Sequence, residues 1–179
     1  LKTQAERYAA YRSSQSPNAQ STSVYYVDDI FNEFSGGIMD PTAIRDFLKY
    51  AYENWQTKPV YVLLLGDGSY DYLDTEDPNI NFVPTYQTYS STVGNSLGEQ
   101  TEYPMDDYYT RVSGSDEYAD LAIGRLCVQS ATDADNAIDK IVSYETSEDK
   151  GDWRNRITLI ADDGPAGTGK DDTSAHTSQ

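Results

Sequence analysis

The chain has 179 residues, 16 of them tyrosine, with a formal net charge of -17 at pH 7 and a sequence pI near 4.1. This length is enough for one domain with a single core, and the aromatic content argues against a disordered chain. The acidity argues against binding to nucleic acid or anionic membrane surfaces. No apolar run approaches the roughly 20 residues that a membrane span needs.

The chain has one cysteine, and it begins within a predicted helix. Cys127 has no second cysteine with which to form an internal disulfide. The chain opens with Leu1 in a predicted helix and shows no signal peptide. We therefore expect it to be a piece of a longer protein.

The first third of the chain predicts a helix, a short strand and a second helix. Residues 2–11 predict a helix, residues 13–23 a polar loop, and residues 24–27 a strand that ends at Asp28 and Asp29. The clearest helix follows, with Asp40 as its N-cap and Pro41 at its first position. Its apolar stripe recurs at helical spacing, at positions 44, 47, 48, 51, 52 and 55.

The rest of the chain alternates strands with helices. Residues 60–65 are continuously apolar, which is typical of a parallel strand covered on both faces. A long excursion follows at 68–105, then a strand-like stretch at 107–111, a turn at 113–116 and a strand at 121–124. Thr132 predicts the start of a helix whose inward side chains are at positions 134, 137, 138, 141 and 142, and residues 157–161 predict a last strand.

This alternation predicts an α/β fold with a parallel sheet and right-handed crossovers. Ligand sites in such sheets lie at the carboxyl ends of the strands. The predicted strand ends carry acidic residues at positions 28, 29, 67, 162 and 163. We therefore expect function at this acidic rim.

Few residues could act as nucleophiles or bases. Cys127 could be a reactive thiol, but a free cysteine is more often a small buried hydrophobe. His176, the single histidine, lies in a polar tail. The sequence contains no Gly-x-Ser-x-Gly elbow, no Walker or Rossmann glycine pattern, and too few cysteines and histidines for an ordinary zinc site.

The carboxylates offer a second kind of chemistry. Asp67 follows the apolar strand, where its partners could be the amides of the adjoining turn, Arg125 or a cation. In an extended loop, Asp116, Tyr118 and Asp120 would point the same way and could present oxygen ligands to a hard cation.

In order along the chain, seven segments resemble the gingipain-like cysteine peptidases, a family that includes the gingipains and the sortase-like peptidase of the type IX secretion system. The segments are residues 38–50 (IMDPTAIRDFLKY), 61–71 (YVLLLGDGSYD), 106–109 (DDYY), 120–126 (DLAIGRL), 138–145 (IDKIVSYE), 153–156 (WRNR) and 161–163 (ADD).

The resemblance implies a caspase-like α/β sandwich with helices on both faces of a parallel sheet, of which residues 1–179 would form the first subdomain. It places the catalytic histidine, in a Gly-His-Gly context, and the catalytic cysteine in a second subdomain downstream. Cys127, which stands where many members have proline, is then not the nucleophile. The implied parent is a secreted or cell-surface bacterial endopeptidase acting on proteins or peptides.

The resemblance also implies two sites on this chain. The first is a structural calcium site formed by the Asp67, Asp116 and Asp120 side chains with the carbonyls of Ser113 and Tyr118. The second is part of a specificity pocket, with His176 matching a pocket histidine. Thr173 stands where arginine-specific members carry an acid, and Asp172 lies beside it, which leaves cleavage after arginine open.

Two other functions remain open on the residues alone. One is a non-catalytic secreted binding module of the same fold, using the tyrosine-rich 68–105 excursion for recognition. The other is a metal-dependent phosphotransferase built around Asp67, although no lysine or Ser/Thr phosphate motif accompanies it.

Overall fold

The computed structural model describes residues 1–71, 81–90, 101–149 and 151–158. Two compact units are distinguished, Leu1–Thr146 and Ser147–Gln179. In the described part of the second unit, Asp152–Asn155 form a 3-10 turn. Among the described residues, no helix is both long and apolar enough to cross a membrane.

In its described residues, the first unit contains four α-helices and four short strands. The helices are α1 (Lys2–Ser14), α2 (Val27–Phe34), α3 (Pro41–Asn54) and α4 (Ala131–Thr146). The strands are β1 (Tyr61–Leu65), β2 (Gln87–Ser90), β3 (Thr101–Pro104) and β4 (Ala122–Leu126). Strand β1 pairs with β4 in parallel, and β2 pairs with β3 antiparallel. The predicted α/β fold with a parallel sheet is confirmed.

Helix α3 begins and packs as its sequence predicts. The Asp40 carboxylate accepts a hydrogen bond from the Thr42 amide at 2.8 Å, and Pro41 occupies the first turn. Ile44 and Leu48 are buried in one cluster with Leu64 of β1. The apolar stripe of α3 therefore lies on the strand pair, which is how an amphipathic helix is stabilised.

Only one face of the strand pair is covered in the described part of the chain. Val62 and Ile123 lie opposite each other and pack against the core, whereas Tyr61 is 66% and Leu63 44% exposed. Residues 60–65 were expected to be buried on both faces of the sheet. Within the described residues, only the face that carries Val62 is covered. Side chains alternate along a strand, so Tyr61 and Leu63 belong to the opposite face.

Two predicted strands are wrong. Residues 24–27 form no strand, because helix α2 begins at Val27 with Tyr26 as its N-cap. Asp28 and Asp29 are therefore in the first turn of a helix and not at a strand end. There, their negative charges interact favourably with the positive end of the helix dipole. Residues 107–110 form a 3-10 helix. Stretches of only four or five residues do not distinguish strand from helix by their pattern alone.

The other boundaries differ in smaller ways. Ser130, not Thr132, caps α4, since its hydroxyl accepts a hydrogen bond from the Asp133 amide at 3.1 Å. Ala134 and Ile138 are fully buried, as predicted. The β2–β3 hairpin lies within the 68–105 excursion, where no strand was predicted. Residues 157–158 are not in a strand, and residues 159–161 of the predicted last strand lie outside the described residues.

A polar cluster joins α1 to the end of α4 around Glu145. Its carboxylate accepts hydrogen bonds from the Tyr11 hydroxyl at 2.8 Å, Ser16 at 3.0 Å and the Arg12 guanidinium at 2.7 Å. Burial by itself would raise the pKa of Glu145, but the hydrogen bonds from Tyr11 and Ser16 and the charge of Arg12 outweigh it and lower that pKa. The ionised carboxylate is therefore favoured by folding.

We expect Glu145→Gln to remove a pH-dependent part of the stability. A carboxyl with a lowered folded pKa stabilises the fold above its unfolded pKa, ordinarily 4.5, and loses that effect as pH falls through the folded value. The difference in unfolding free energy between parent and variant should be constant near pH 7 and shrink below pH 4.5. Urea titrations across pH measure this. The exposed Glu53→Gln is the control, and a difference independent of pH would contradict the prediction.

Candidate functional site at the ends of the parallel strands

Asp67 follows β1 at the carboxyl end of the strand pair. Its amide donates to the Val128 carbonyl at 3.1 Å, which continues the β1–β4 pairing beyond the strand. Its carboxylate accepts hydrogen bonds from the Gly68 amide at 3.0 Å and the Gln129 side chain at 2.8 Å. The amide of the adjoining turn, one of the partners considered for Asp67, is thus observed, whereas no ion pair joins Asp67 to Arg125.

The turn around Asp67 is packed tightly against the 82–85 segment. The Asp67 carbonyl accepts hydrogen bonds from the amides of Phe82 and Val83, both at 3.0 Å. Gly66 has φ of 140°, and a Cβ there would lie 2.6 Å from the Cβ of Phe82. Glycine is needed at this position both for its backbone conformation and for the close approach of the neighbouring chain.

Arg125 holds several segments together at this same end. Its side chain is 8% exposed and makes a two-pronged ion pair with Asp106, at 2.8 and 2.7 Å. It also donates to the carbonyls of Gly66 at 2.9 Å, Val83 at 2.7 Å and Pro84 at 3.3 Å. Burial works against the charged form, but the hydrogen bonds and charge of Asp106 prevail and raise the pKa of Arg125.

The Arg125–Asp106 pair was not predicted from the sequence. The signal available was an arginine in β4, two residues after the inward-facing Ile123, where the period of two places it on the core face. A buried arginine needs an acidic partner and further acceptors. The carbonyls of residues 66, 83 and 84 meet that need, so the pair positions the turn that carries Asp67.

The 113–120 turn is built around two aspartates. Asp120 accepts hydrogen bonds from the amides of Val112 and Ser113, both at 2.8 Å, through one carboxylate oxygen. Asp116 accepts one from the Tyr118 amide at 3.0 Å. Each of these carboxylates uses one oxygen in these bonds, and all residues of the turn are exposed. The aspartates therefore already stabilise the turn through its backbone.

The structure does not bring the five expected calcium ligands together. The turn precedes β4, whereas Asp67 follows β1, and the two strands are parallel with Tyr61 opposite Ala122. Asp67 and the 113–120 turn thus lie beyond opposite ends of the pair, and five paired residues alone span about 13 Å. Oxygens bound to one calcium ion lie within about 5 Å of each other. One ion cannot be shared by Asp67 and Asp120.

Three further observations concern the predicted site residues. Across the described residues, no group of three or more His, Cys, Asp or Glu side chains is placed to hold a metal ion. The specificity-pocket candidates Asp172, Thr173 and His176 lie outside the described residues. Cys127 is a free, exposed thiol, and no described residue supplies an imidazole to it because the single histidine is His176.

Comparison with known proteins places these features in a family. The model of Peptidase family C25 matches residues 1–179. Gingipain R2 of Porphyromonas gingivalis is 29% identical over 122 residues, which is 66% of this chain and 13% of the relative. Gingipain R1 of the same species is also 29% identical over 122 residues, with 10% of its length covered.

A solved structure extends the likeness to the fold. The crystal structure of dimeric latent PorU from Porphyromonas gingivalis matches with a TM-score of 0.70 and 30% identity, over 89% of this chain and 16% of that chain. The chain therefore spans less than a fifth of these relatives. It has the N-terminal part of a caspase-like α/β fold. With a family match over its whole length, the chain belongs to peptidase family C25, a family of cysteine peptidases.

Proposed function

We propose that residues 1–179 are the N-terminal subdomain of the peptidase domain of a longer, secreted or cell-surface bacterial cysteine endopeptidase. The observation that carries the proposal is the family match over the whole chain. The partner of this half is a C-terminal catalytic subdomain of the same protein. That subdomain supplies a cysteine nucleophile and a histidine acid/base, which together cleave protein or peptide substrates.

The chemistry of the chain itself supports a scaffolding role. Cys127 has no described base beside it, and the hydrogen-bonding groups of Asp67 and Arg125 are used to hold the ends of β1 and β4. Asp172, Thr173 and His176 contribute to the specificity pocket in this proposal. A rigid first half of this kind fixes the geometry of the neighbouring half, on which nucleophilic attack depends.

The test compares two proteins against casein and a library of fluorogenic peptides. The longer protein should cleave substrates and lose activity on treatment with iodoacetamide, whereas the 179-residue chain should show no cleavage above buffer. Cleavage by the short chain would contradict the proposed division of labour. A folded longer protein that leaves every substrate intact would favour the non-catalytic binding module.

We also propose calcium binding, confined to the 113–120 turn. The ligands would be the Asp116 and Asp120 carboxylates and the carbonyls of Ser113 and Tyr118, with water completing the six to eight oxygens that calcium prefers. The donor types support the proposal, and one oxygen of each carboxylate is not used by the bonds within the turn. Asp67 is excluded because it lies beyond the other end of the strands.

Calcium should raise the melting temperature of the chain if this turn binds it. A ligand at 100 times its Kd stabilises a fold by about 2.7 kcal/mol, so the shift between millimolar calcium and EGTA should be several degrees. Asp116→Asn should remove the shift, since it takes away a charged ligand. Glu117→Gln, a neighbouring loss of one charge, should preserve it.

Differential scanning fluorimetry of the three proteins measures the shift. Equal melting temperatures in calcium and EGTA would contradict the proposed metal site. Equal loss of the shift in both variants would indicate a general effect of charge and would also contradict it.

A further inference from the structure

An open groove lies on the side of the first unit formed by the 24–26 segment, α2 and α3. Its volume is about 240 Å³. Three kinds of residue line it: aromatic, aliphatic and acidic. They are Val24, Tyr25, Tyr26, Asp29, Ile30, Glu33, Phe34 and Phe47. None of them takes part in the strand-end contacts described above.

Aromatic rings form much of the wall and hold each other in place. The ring of Tyr25 lies 4.9 Å from that of Phe47 and 5.4 Å from that of Trp55, and Phe34 lies 5.9 Å from Phe47, centroid to centroid. Tyr25 is nevertheless 50% exposed. The groove therefore presents ring surface to solvent, and ring faces attract cations through their quadrupole.

Two carboxylates complete the groove. Asp29 and Glu33 are four residues apart on α2, so they lie on one face of the helix, and both line the cavity. Within the described part of the chain, no Lys, Arg or His nitrogen lies within 4.0 Å of either one. One basic group contacts the lining: the Lys2 ammonium lies 4.3 Å from the centroid of the Tyr26 ring.

Lys2 shows that a ring of this wall accepts an ammonium group. It engages Tyr26, while Tyr25 and Phe47 carry no cation among the described residues. The carboxylates of Asp29 and Glu33 lack a cationic partner there, and the chain as a whole carries a charge of -17. Apolar walls beside unpaired negative charge suit a ligand with an apolar stem and a positive end.

We infer that this groove is a docking site for a lysine or arginine side chain in a segment of another polypeptide. The methylene stem lies against Tyr25 and Phe47, and the charged head pairs with Asp29 and Glu33. Neutral segments gain no charge pairing with these two exposed carboxylates, and acidic segments are repelled by them. The binding free energy from each such contact at an exposed site is small, so binding depends on the ring contacts and the charge pairs together.

The probe is the peptide acetyl-Gly-Leu-Arg-Leu-Gly-amide, titrated into the isotopically labelled 179-residue chain and followed by NMR. Amide shifts should concentrate at residues 24–34 and 47. The same peptide with citrulline, which is shaped like arginine but neutral, should bind about tenfold more weakly. A lysine peptide should bind within a few-fold of the arginine peptide.

Matched variants separate the groove from general charge attraction. Asp29→Asn with Glu33→Gln should weaken binding about tenfold, and Asp28→Asn with Glu53→Gln, which removes the same charge outside the groove, should leave it within twofold. Tyr25→Leu should weaken binding while preserving the far-UV spectrum.

Three outcomes would overturn the inference. They are equal binding of the citrulline peptide, equal weakening by both double variants, and shifts that map away from the groove. An unchanged affinity in the Tyr25→Leu variant would show that the aromatic wall plays no part and would also overturn it.

Discussion

Replacing Arg125 with alanine is expected to lower the free energy of unfolding of the chain by about 3–5 kcal/mol. The change leaves the Asp106 carboxylate without its partner at 2.7 Å. It also removes the donor to the carbonyls of Gly66, Val83 and Pro84. Removing one member of a buried pair is more costly than losing an exposed one, because the remaining charge is still desolvated.

The matched control is Arg7→Ala. Arg7 pairs with Asp135 at 2.7 Å and also contacts Asp139, but its side chain is 44% exposed. Exposed pairs contribute about 0–1 kcal/mol, so this variant should cost no more than that. Urea unfolding followed by far-UV circular dichroism gives both values. Equal small losses in the two variants would show that Arg125 does not hold the strand ends together.

Ile44→Ala is expected to cost about 2–5 kcal/mol. Ile44 is 3% exposed and belongs to the cluster in which α3 packs with α2 and β1. Truncation loses the transfer free energy of the removed carbons and leaves a cavity that the neighbours fill only partly. The same urea titrations measure the change in unfolding free energy.

Ile38→Ala provides the same chemical change outside the core. Ile38 precedes the Asp40 cap and is 70% exposed, so its loss should stay within about 0.5 kcal/mol. A large cost at Ile38, or a cost below 1 kcal/mol at Ile44, would contradict the assignment of the α3 stripe to the core.

Local signals predicted the long, strongly patterned elements. Helix α3 has a cap, a proline at its first position and an apolar stripe, and all three act over neighbouring residues. The short run at 24–27 has no comparable set of local signals. Helix α2 begins at its last residue instead, and this helix packs Ile30 and Phe31 into the core. Tertiary contacts of this kind override strand propensity in a four-residue run.

The calcium ligand set shows a limit of a different kind. Asp67 was predicted at a strand end and Asp116 and Asp120 in an extended loop, but Asp67 follows β1 and Asp120 precedes β4. In a parallel pair these positions lie at opposite ends. The order of residues along the chain therefore separates Asp67 from Asp120. This separation can be deduced only once the two strands are known to be parallel neighbours.

We propose that this chain is a scaffold and that another part of the longer protein carries out bond cleavage. Cys127→Ser in that protein tests this most directly, because it removes the single thiol that the 179 residues contribute. We expect kcat/KM on a peptide substrate to stay within about twofold of the parent value, well short of the loss that follows removal of a nucleophile, with iodoacetamide still abolishing activity. Loss of cleavage in a folded Cys127→Ser protein would contradict the account.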